Sequence, residues 1–172
     1  MLKTRISLIA LGLMAATQAM ANDQAESKGF QEDSKASVLL RNAFINRDYK
    51  GGRHDSGEWG QGAIANFESG FTQGTVGFGV DAIGMFGVRL DSGKGRHYNP
   101  QSTAFNGNVF PTDHDGRAVD EFGSLGLTAK AKISQTELKL GTLQPKLPVI
   151  VTNDGRLLPQ TFQGGQITTN EI

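Results

Sequence analysis

The sequence predicts an all-β fold, a transmembrane antiparallel β-barrel of which the first five or six strands are present. Three observations predict it. Apolar residues recur at every second position over long runs, the period of a strand whose two faces meet different surroundings. The connections between these runs alternate between short turns and long polar loops, the pattern of barrels that cross a membrane. The first residues carry an export signal, which directs such a barrel to the bacterial outer membrane.

Composition narrows the field. Glycine accounts for 23 of 172 residues, about twice the usual usage of roughly 7%. That disfavours a helical bundle, because each interior Gly costs about 1 kcal/mol relative to Ala. No apolar run approaches the roughly 18 to 20 residues of a spanning helix. The 17 basic and 17 acidic side chains balance, so the basic surplus of a nucleic-acid binder is missing. Without cysteine neither disulfides nor thiolate metal sites can form.

Each element follows in order. Lys3 and Arg5, an apolar stretch over residues 6–16 and the small residues Ala19 and Ala21 read as a signal peptide over residues 1–21. Residues 22–35 are polar and charged and read as a flexible periplasmic leader. The barrel portion then covers residues 36–172. Residues 37–49 form a first strand with mixed faces, and in the second Ala63, Ala65 and Phe67 alternate with Ile64, Asn66 and Glu68. Between residues 76 and 90 the even positions are almost wholly apolar, while the odd ones hold Gly77, Gly79, Asp81, Ile83, Met85, Gly87 and Arg89. Leu125, Leu127, Ala129, Ala131 and Ile133 alternate with Ser124, Gly126, Thr128, Lys130 and Lys132, and Leu138 and Leu140 with Glu137 and Lys139. A two-residue turn at Ser134-Gln135 pairs Ile133 with Thr136, Ala131 with Leu138 and Ala129 with Leu140, which puts the apolar residues on one face. A sixth strand begins near Gln166.

The turn over residues 69–73 is short, whereas residues 50–57, 91–120 and 144–165 are long connections rich in polar residues, Gly, Pro and Asn. Trp59 and Tyr49 are expected near the outer membrane interface, and Phe67 and Phe71 near the inner one, as aromatic girdles. A periplasmic β-sandwich is the rival architecture.

A polar face lining water offers Arg41, Arg47, Asn66, Glu68, Asp81, Arg89, Lys130, Lys132 and Lys139 to the lumen. Basic groups outnumber acidic ones there, and fixed charges on a narrow wall select solutes by sign. Guanidinium groups add bidentate geometry toward carboxylates. The connection over residues 144–165 is too apolar and proline-punctuated for a free exterior loop. Folded inward, it buries Val149, Ile150, Leu157 and Leu158 and narrows the pore. His54, His97 and His114 lie in long loops without metal-ligand spacing and read as exposed bystanders. Aligning Gly116 with the sixth position of a calcium loop puts Pro111 first and Phe122 twelfth, so both essential carboxylates are missing. Neither a Gly-x-Ser-x-Gly elbow nor a phosphate loop occurs, and no metal or cofactor is expected.

Several stretches resemble the porin D family of substrate-specific outer-membrane channels (OprD-type porins). They are Arg41-Asn42-Ala43-Phe44-Ile45-Asn46-Arg47-Asp48-Tyr49, Glu58-Trp59-Gly60-Gln61-Gly62, Gly74-Thr75-Val76-Gly77-Phe78-Gly79-Val80-Asp81, Arg89-Leu90-Asp91-Ser92-Gly93, Leu147-Pro148-Val149-Ile150 and the segment from Asn153 to Phe162. The resemblance implies a monomeric barrel of about eighteen strands, a third loop that constricts the pore, and an arginine-lined path for small solutes bearing a carboxylate. It assigns Arg41 and Arg47 to the basic track, and Pro148, Val149, Asn153, Asp154, Arg156, Leu157, Pro159 and Phe162 to the constricting loop. Family chains are more than twice this long, so the sequence is expected to be an N-terminal segment, since open strand edges in hydrocarbon leave backbone groups unsatisfied.

The expected function is passive, partly selective diffusion of small anionic or zwitterionic solutes such as amino acids and organic acids, without catalysis. The expected partners are outer-membrane lipid, lipopolysaccharide and the barrel assembly machinery, with no nucleic acid. Two alternatives stand beside it: a barrel enzyme, protease or lipase, using loop residues such as Ser56 or His114, and an adhesion barrel acting through residues 91–120.

Overall fold

The computed structural model describes residues 23–50, 55–92, 96–97 and 109–170. The expected signal peptide over residues 1–21 and His54 lie outside the described residues. The period-2 runs become one six-stranded antiparallel sheet, formed by β1 (Lys35–Arg47), β2 (Ser56–Glu68), β3 (Val76–Asp91), β4 (Glu121–Ile133), β5 (Thr136–Leu143) and β8 (Phe162–Thr169), in that spatial order. Between β5 and β8, β6 (Lys146–Leu147) and β7 (Ile150–Val151) pair as a separate small hairpin.

Register assigns every side chain to a face. Ile133 opposes Thr136, Ala131 opposes Leu138 and Ala129 opposes Leu140, as the turn argument requires, and Ser134 accepts the left-handed conformation at φ 49°. Val76, Phe78, Val80, Ala82 and Gly84 meet Ile133, Ala131, Ala129, Leu127 and Leu125 on the same face. Val38, Leu40, Phe44, Trp59, Phe67, Phe78, Phe86, Leu125, Leu127, Leu140 and Ile167 are all exposed there. Among the described residues no second layer covers this band, and an apolar surface this extensive is incompatible with a sandwich in water. A 13-residue strand rising about 3.4 Å per residue and tilted about 40° reaches across roughly 30 Å, the depth of bilayer hydrocarbon.

The opposite face is the one that connections cover. Val109, Phe110, Ala118 and Leu157 form a buried cluster against Ala43, Ile45 and Phe122. A second cluster joins Ile64, Ile83 and Met85 to Leu158. Apolar residues at these inward positions explain why β1 reads as mixed on both faces.

Two boundaries depart from expectation. β2 begins at Ser56, because Gly57, Gly60 and Gly62 hide its alternation. β8 begins at Phe162, so Phe162 is a strand residue opposite Leu143 rather than part of the loop. Pairing along β5 extends the strand through Gly164 and Gly165, which on local preference alone favour a loop.

The leader is docked rather than loose. Gln24–Glu26 forms a 3-10 turn capped by the Asp23 side chain. The Gln24 backbone donates to the Ser134 carbonyl at 3.0 Å, and its buried side-chain amide donates to the carbonyls of Thr72 and Gly74. Ser27 Oγ donates to the Phe71 carbonyl at 2.7 Å. Backbone groups of the turns after β2 and β4 supply partners that composition cannot reveal.

Candidate functional site

The connection from β5 to β8 folds back onto the inner face, with Leu157 fully buried. Space for it comes from two glycines of β2. A Cβ at Gly62 would lie 3.2 Å from Leu157 Cγ and 3.2 Å from its Cδ1, and one at Gly60 would run into the Phe110 ring. Arg41 of β1, which faces inward opposite Gly62, ties the segment down. Its Nη1 and Nη2 donate to Asp154 Oδ1 and Oδ2 at 2.7 and 3.1 Å, and Nη1 also donates to the Arg156 carbonyl at 2.8 Å. Asn153 closes the tip by accepting the Gly155 N–H at 2.9 Å.

Arg156 is exposed. With Asn153, Leu158, Met85, Phe122 and Ser124 it lines a cavity of about 490 Å³, which Pro159 also borders. Among the described residues its guanidinium has no acidic partner. Val149 and Ile150 are not buried as expected: Val149 is 92% exposed and Ile150 is also exposed. Leu147 pairs with Ile150, so Pro148 and Val149 form the exposed tip of a hairpin.

Register puts all of the expected lumen residues on the loop-covered face, but most of the charges are already used. Lys130 is buried, 2.6 Å from Asp81 Oδ1, and donates to the Ser69 carbonyl at 2.7 Å. Lys132 is buried as well, so neither lysine is an open pore cation. Both ammonium groups lie over the Phe71 ring, at 4.9 and 5.6 Å from its centre. Phe71 therefore belongs to the interior and not to a girdle, because the turn that carries it bends over the end of the sheet. Trp59, by contrast, faces outward opposite Phe44 and donates from Nε1 to Asn42 Oδ1 at 3.1 Å.

Lys139 sits 3.2 Å from Glu137 and 3.8 Å from Asp81. Arg89 pairs with Asp120 and donates to Ser92 Oγ. Arg47 and Glu68 remain exposed and Asn66 half-buried. Asn66, Glu68, Asp81 and Lys139 share a second cavity of about 650 Å³.

His97 is not an exposed bystander. It is 2% exposed, its Nδ1 contacts Glu58 Oε1 and its Nε2 lies 2.9 Å from Thr112 Oγ1. Nothing in the sequence marks Glu58 for this role beyond its inward parity on β2. Ser56 is the first, buried residue of β2 and His114 is exposed. Among the described residues no hydrogen bond joins them. Val109, Phe110 and Ala118 are buried, while Asp113, His114, Asp115 and Arg117 between them are exposed.

A one-layer antiparallel sheet, apolar outside, with connections folded onto its charged inner face, fits the wall of a pore. Residues 28–172 match the model of the outer membrane porin OprD family. The chain belongs to the OprD family of outer membrane porins. It is 46% identical over 151 residues to the porin-like protein GalP of Pseudomonas putida, covering 87% of this chain and 35% of that one. The crystal structure of Pseudomonas aeruginosa OccK8 (OprE) superposes with a TM-score of 0.68 at 57% identity, over 82% of this chain and 31% of that one. The structure of P. aeruginosa OpdK with vanillate gives a TM-score of 0.72 at 45% identity, over 84% and 34%. The chain thus spans about a third of the length of these OprD-family relatives. Membership places it in the bacterial outer membrane, with its six strands part of an antiparallel porin wall.

Proposed function

We propose that this chain contributes the constricted part of a water-filled channel for passive diffusion of small anionic or zwitterionic solutes, selected by a carboxylate. Arg156 carries the reading: an exposed guanidinium without an acidic partner among the described residues, held over a cavity on the inner face. A guanidinium offers paired donors that match a carboxylate. OpdK, a relative, was solved with vanillate, a carboxylate, which is consistent with that chemistry. Arg47, exposed and inward on β1, extends the basic track, and Arg41 holds the loop. In this reading residues 144–161 constrict the pore, residues 1–21 direct export, and the apolar outer face meets lipid and lipopolysaccharide after insertion by the assembly machinery. The channel is not an enzyme; its selectivity comes from fixed charge and width.

The test is reconstitution of the full encoded chain in planar bilayers with a salt gradient. The reversal potential should show anion preference, and Arg156→Ala should reduce that preference severalfold while conductance persists. A correctly folded barrel that passes no ions would overturn the reading.

A further inference from the structure

The inner wall carries a buried polar network that neither the pore lining nor the Arg41 clasp uses. Glu58 is 1% and His97 2% exposed. A buried carboxylate persists only when paired and hydrogen-bonded, and both oxygens of Glu58 are engaged. Oε1 meets His97 Nδ1, and Oε2 accepts the Val109 N–H at 2.6 Å. An ionised carboxylate only accepts, and in that state His97 donates to it from Nδ1. The other ring nitrogen reaches Thr112 Oγ1.

The network therefore grips the Val109 backbone and the Thr112 side chain from the wall. The next residue, Phe110, stands edge-to-face on Phe122 at 5.9 Å between ring centres, and it is buried in one cluster with Val109, Ala118 and Leu157. Leu157 is the neighbour of Arg156 and the anchor of the constricting loop.

We propose that Glu58 and His97 are positioning residues: a carboxylate–imidazole clamp, anchored on β2 through Glu58, that props residues 109–118 beneath Leu157 and so sets the height of Arg156 in the pore. The inference rests on the channel reading for its consequence. For its geometry it rests only on the network. It supplies a second support for the loop, separate from Arg41, which acts on Asp154 and the Arg156 carbonyl from β1.

The chain has no cysteine, so Ala118→Cys places a single reporter thiol in the buried cluster. Its labelling by a charged thiol reagent measures how often residues 109–118 lift. In the full encoded chain, with the folded fraction checked by heat-modifiable gel mobility, Glu58→Ala should speed labelling of this reporter thiol about 10- to 100-fold. That is the range for losing a buried hydrogen bond to a charged group. His97→Ala should also accelerate it, and Glu58→Gln, which keeps an acceptor for Val109 N–H, should restore part of the protection. The double variant Glu58→Gln with His97→Ala should label no faster than the faster single variant. Single-channel conductance should rise in step.

Unchanged labelling in a folded Glu58→Ala, or effects of Glu58→Gln and His97→Ala that simply add, would overturn the clamp. If Glu58→Ala does not fold, the Glu58→Gln and His97→Ala pair decides. A chain that conducts while labelling ignores these variants loses the clamp and keeps the channel. A chain that does not conduct while labelling responds loses the channel and keeps the clamp.

Discussion

Replacing Arg41 by alanine removes the clasp between β1 and the inward-folded connection, and the structure gives the size of the effect. Four hydrogen bonds go: two to the Asp154 carboxylate at 2.7 and 3.1 Å, one to the Arg156 carbonyl at 2.8 Å and a long one to the Leu157 carbonyl at 3.5 Å. The Arg41 side chain is 19% exposed but Asp154 is 46% exposed, so solvent screens the ion pair to about 0.5 to 1 kcal/mol. The bond from a charged donor to a carbonyl adds about 1.5 to 2 kcal/mol. Asp154 and Arg156 are exposed and return to water, and the carbonyl of buried Leu157 loses only its long, weak contact. A sum of about 2 to 3 kcal/mol raises the population of the lifted loop roughly 30- to 140-fold. Amide hydrogen exchange over residues 153–158 measures that population directly. Arg41→Lys, a point charge without the planar fork, should fall between wild type and alanine. Channels of Arg41→Ala should conduct more and discriminate less. If exchange over 153–158 stays unchanged while anion permeation drops, Arg41 acts as a track cation for solute and the clasp reasoning fails.

Three further outcomes follow from the packing. Gly62→Ala puts a methyl 3.2 Å from two Leu157 carbons and 3.3 Å from its carbonyl oxygen; overpacking of this kind costs about 1 to 3 kcal/mol, seen as faster exchange at Leu157 with the sheet intact. Leu127→Arg, at the middle of β4 on the exposed apolar face, should cost about 2 to 4 kcal/mol of membrane stability, measured as a loss of folded fraction in lipid vesicles under a urea titration. Gln24→Ala removes two side-chain hydrogen bonds to the turn after β2; the loss of about 1 to 2 kcal/mol should deprotect residues 23–34 in hydrogen exchange and leave β2 and β3 protected.

The legible part of the site was its parity. Arg41, Arg47, Asn66, Glu68, Asp81, Arg89, Lys130, Lys132 and Lys139 share a face because a strand has only two, and one apolar neighbour fixes which is which. Whether each charge is open to solute was not legible. Lys130 and Lys132 look like Arg47 in the sequence, yet the first two are buried beneath Phe71 while Arg47 is exposed. The difference depends on a turn that bends over the sheet end, a contact with no local signature. His97 failed for the same reason: its partner Glu58 lies far away in the chain, on β2.

Local chemistry also misjudged segments whose bonds are distant. The leader is polar, which on composition alone favours disorder, but the turns after β2 and β4 accept its hydrogen bonds. Phe162, Gly164 and Gly165 read as loop, but β5 pairs with them. Val149 and Leu157 are both apolar residues of one connection; Leu157 fills the space that Gly60 and Gly62 leave open, and Val149 sits on a hairpin tip.

By itself the sequence determined the strands, their outward and inward faces, the turn register from Ile133 to Thr136 and the family. The strands, faces and register follow from period and neighbour identity, which are local, and the family from the resemblance of several stretches along the chain. Only the tertiary structure decided which inward charges stay open, how Arg41 and Glu58 hold two connections against one wall, and that Arg156 stands unpaired among the described residues. Burial and pairing arise between residues far apart in the chain, so no reading of neighbours in sequence can supply them.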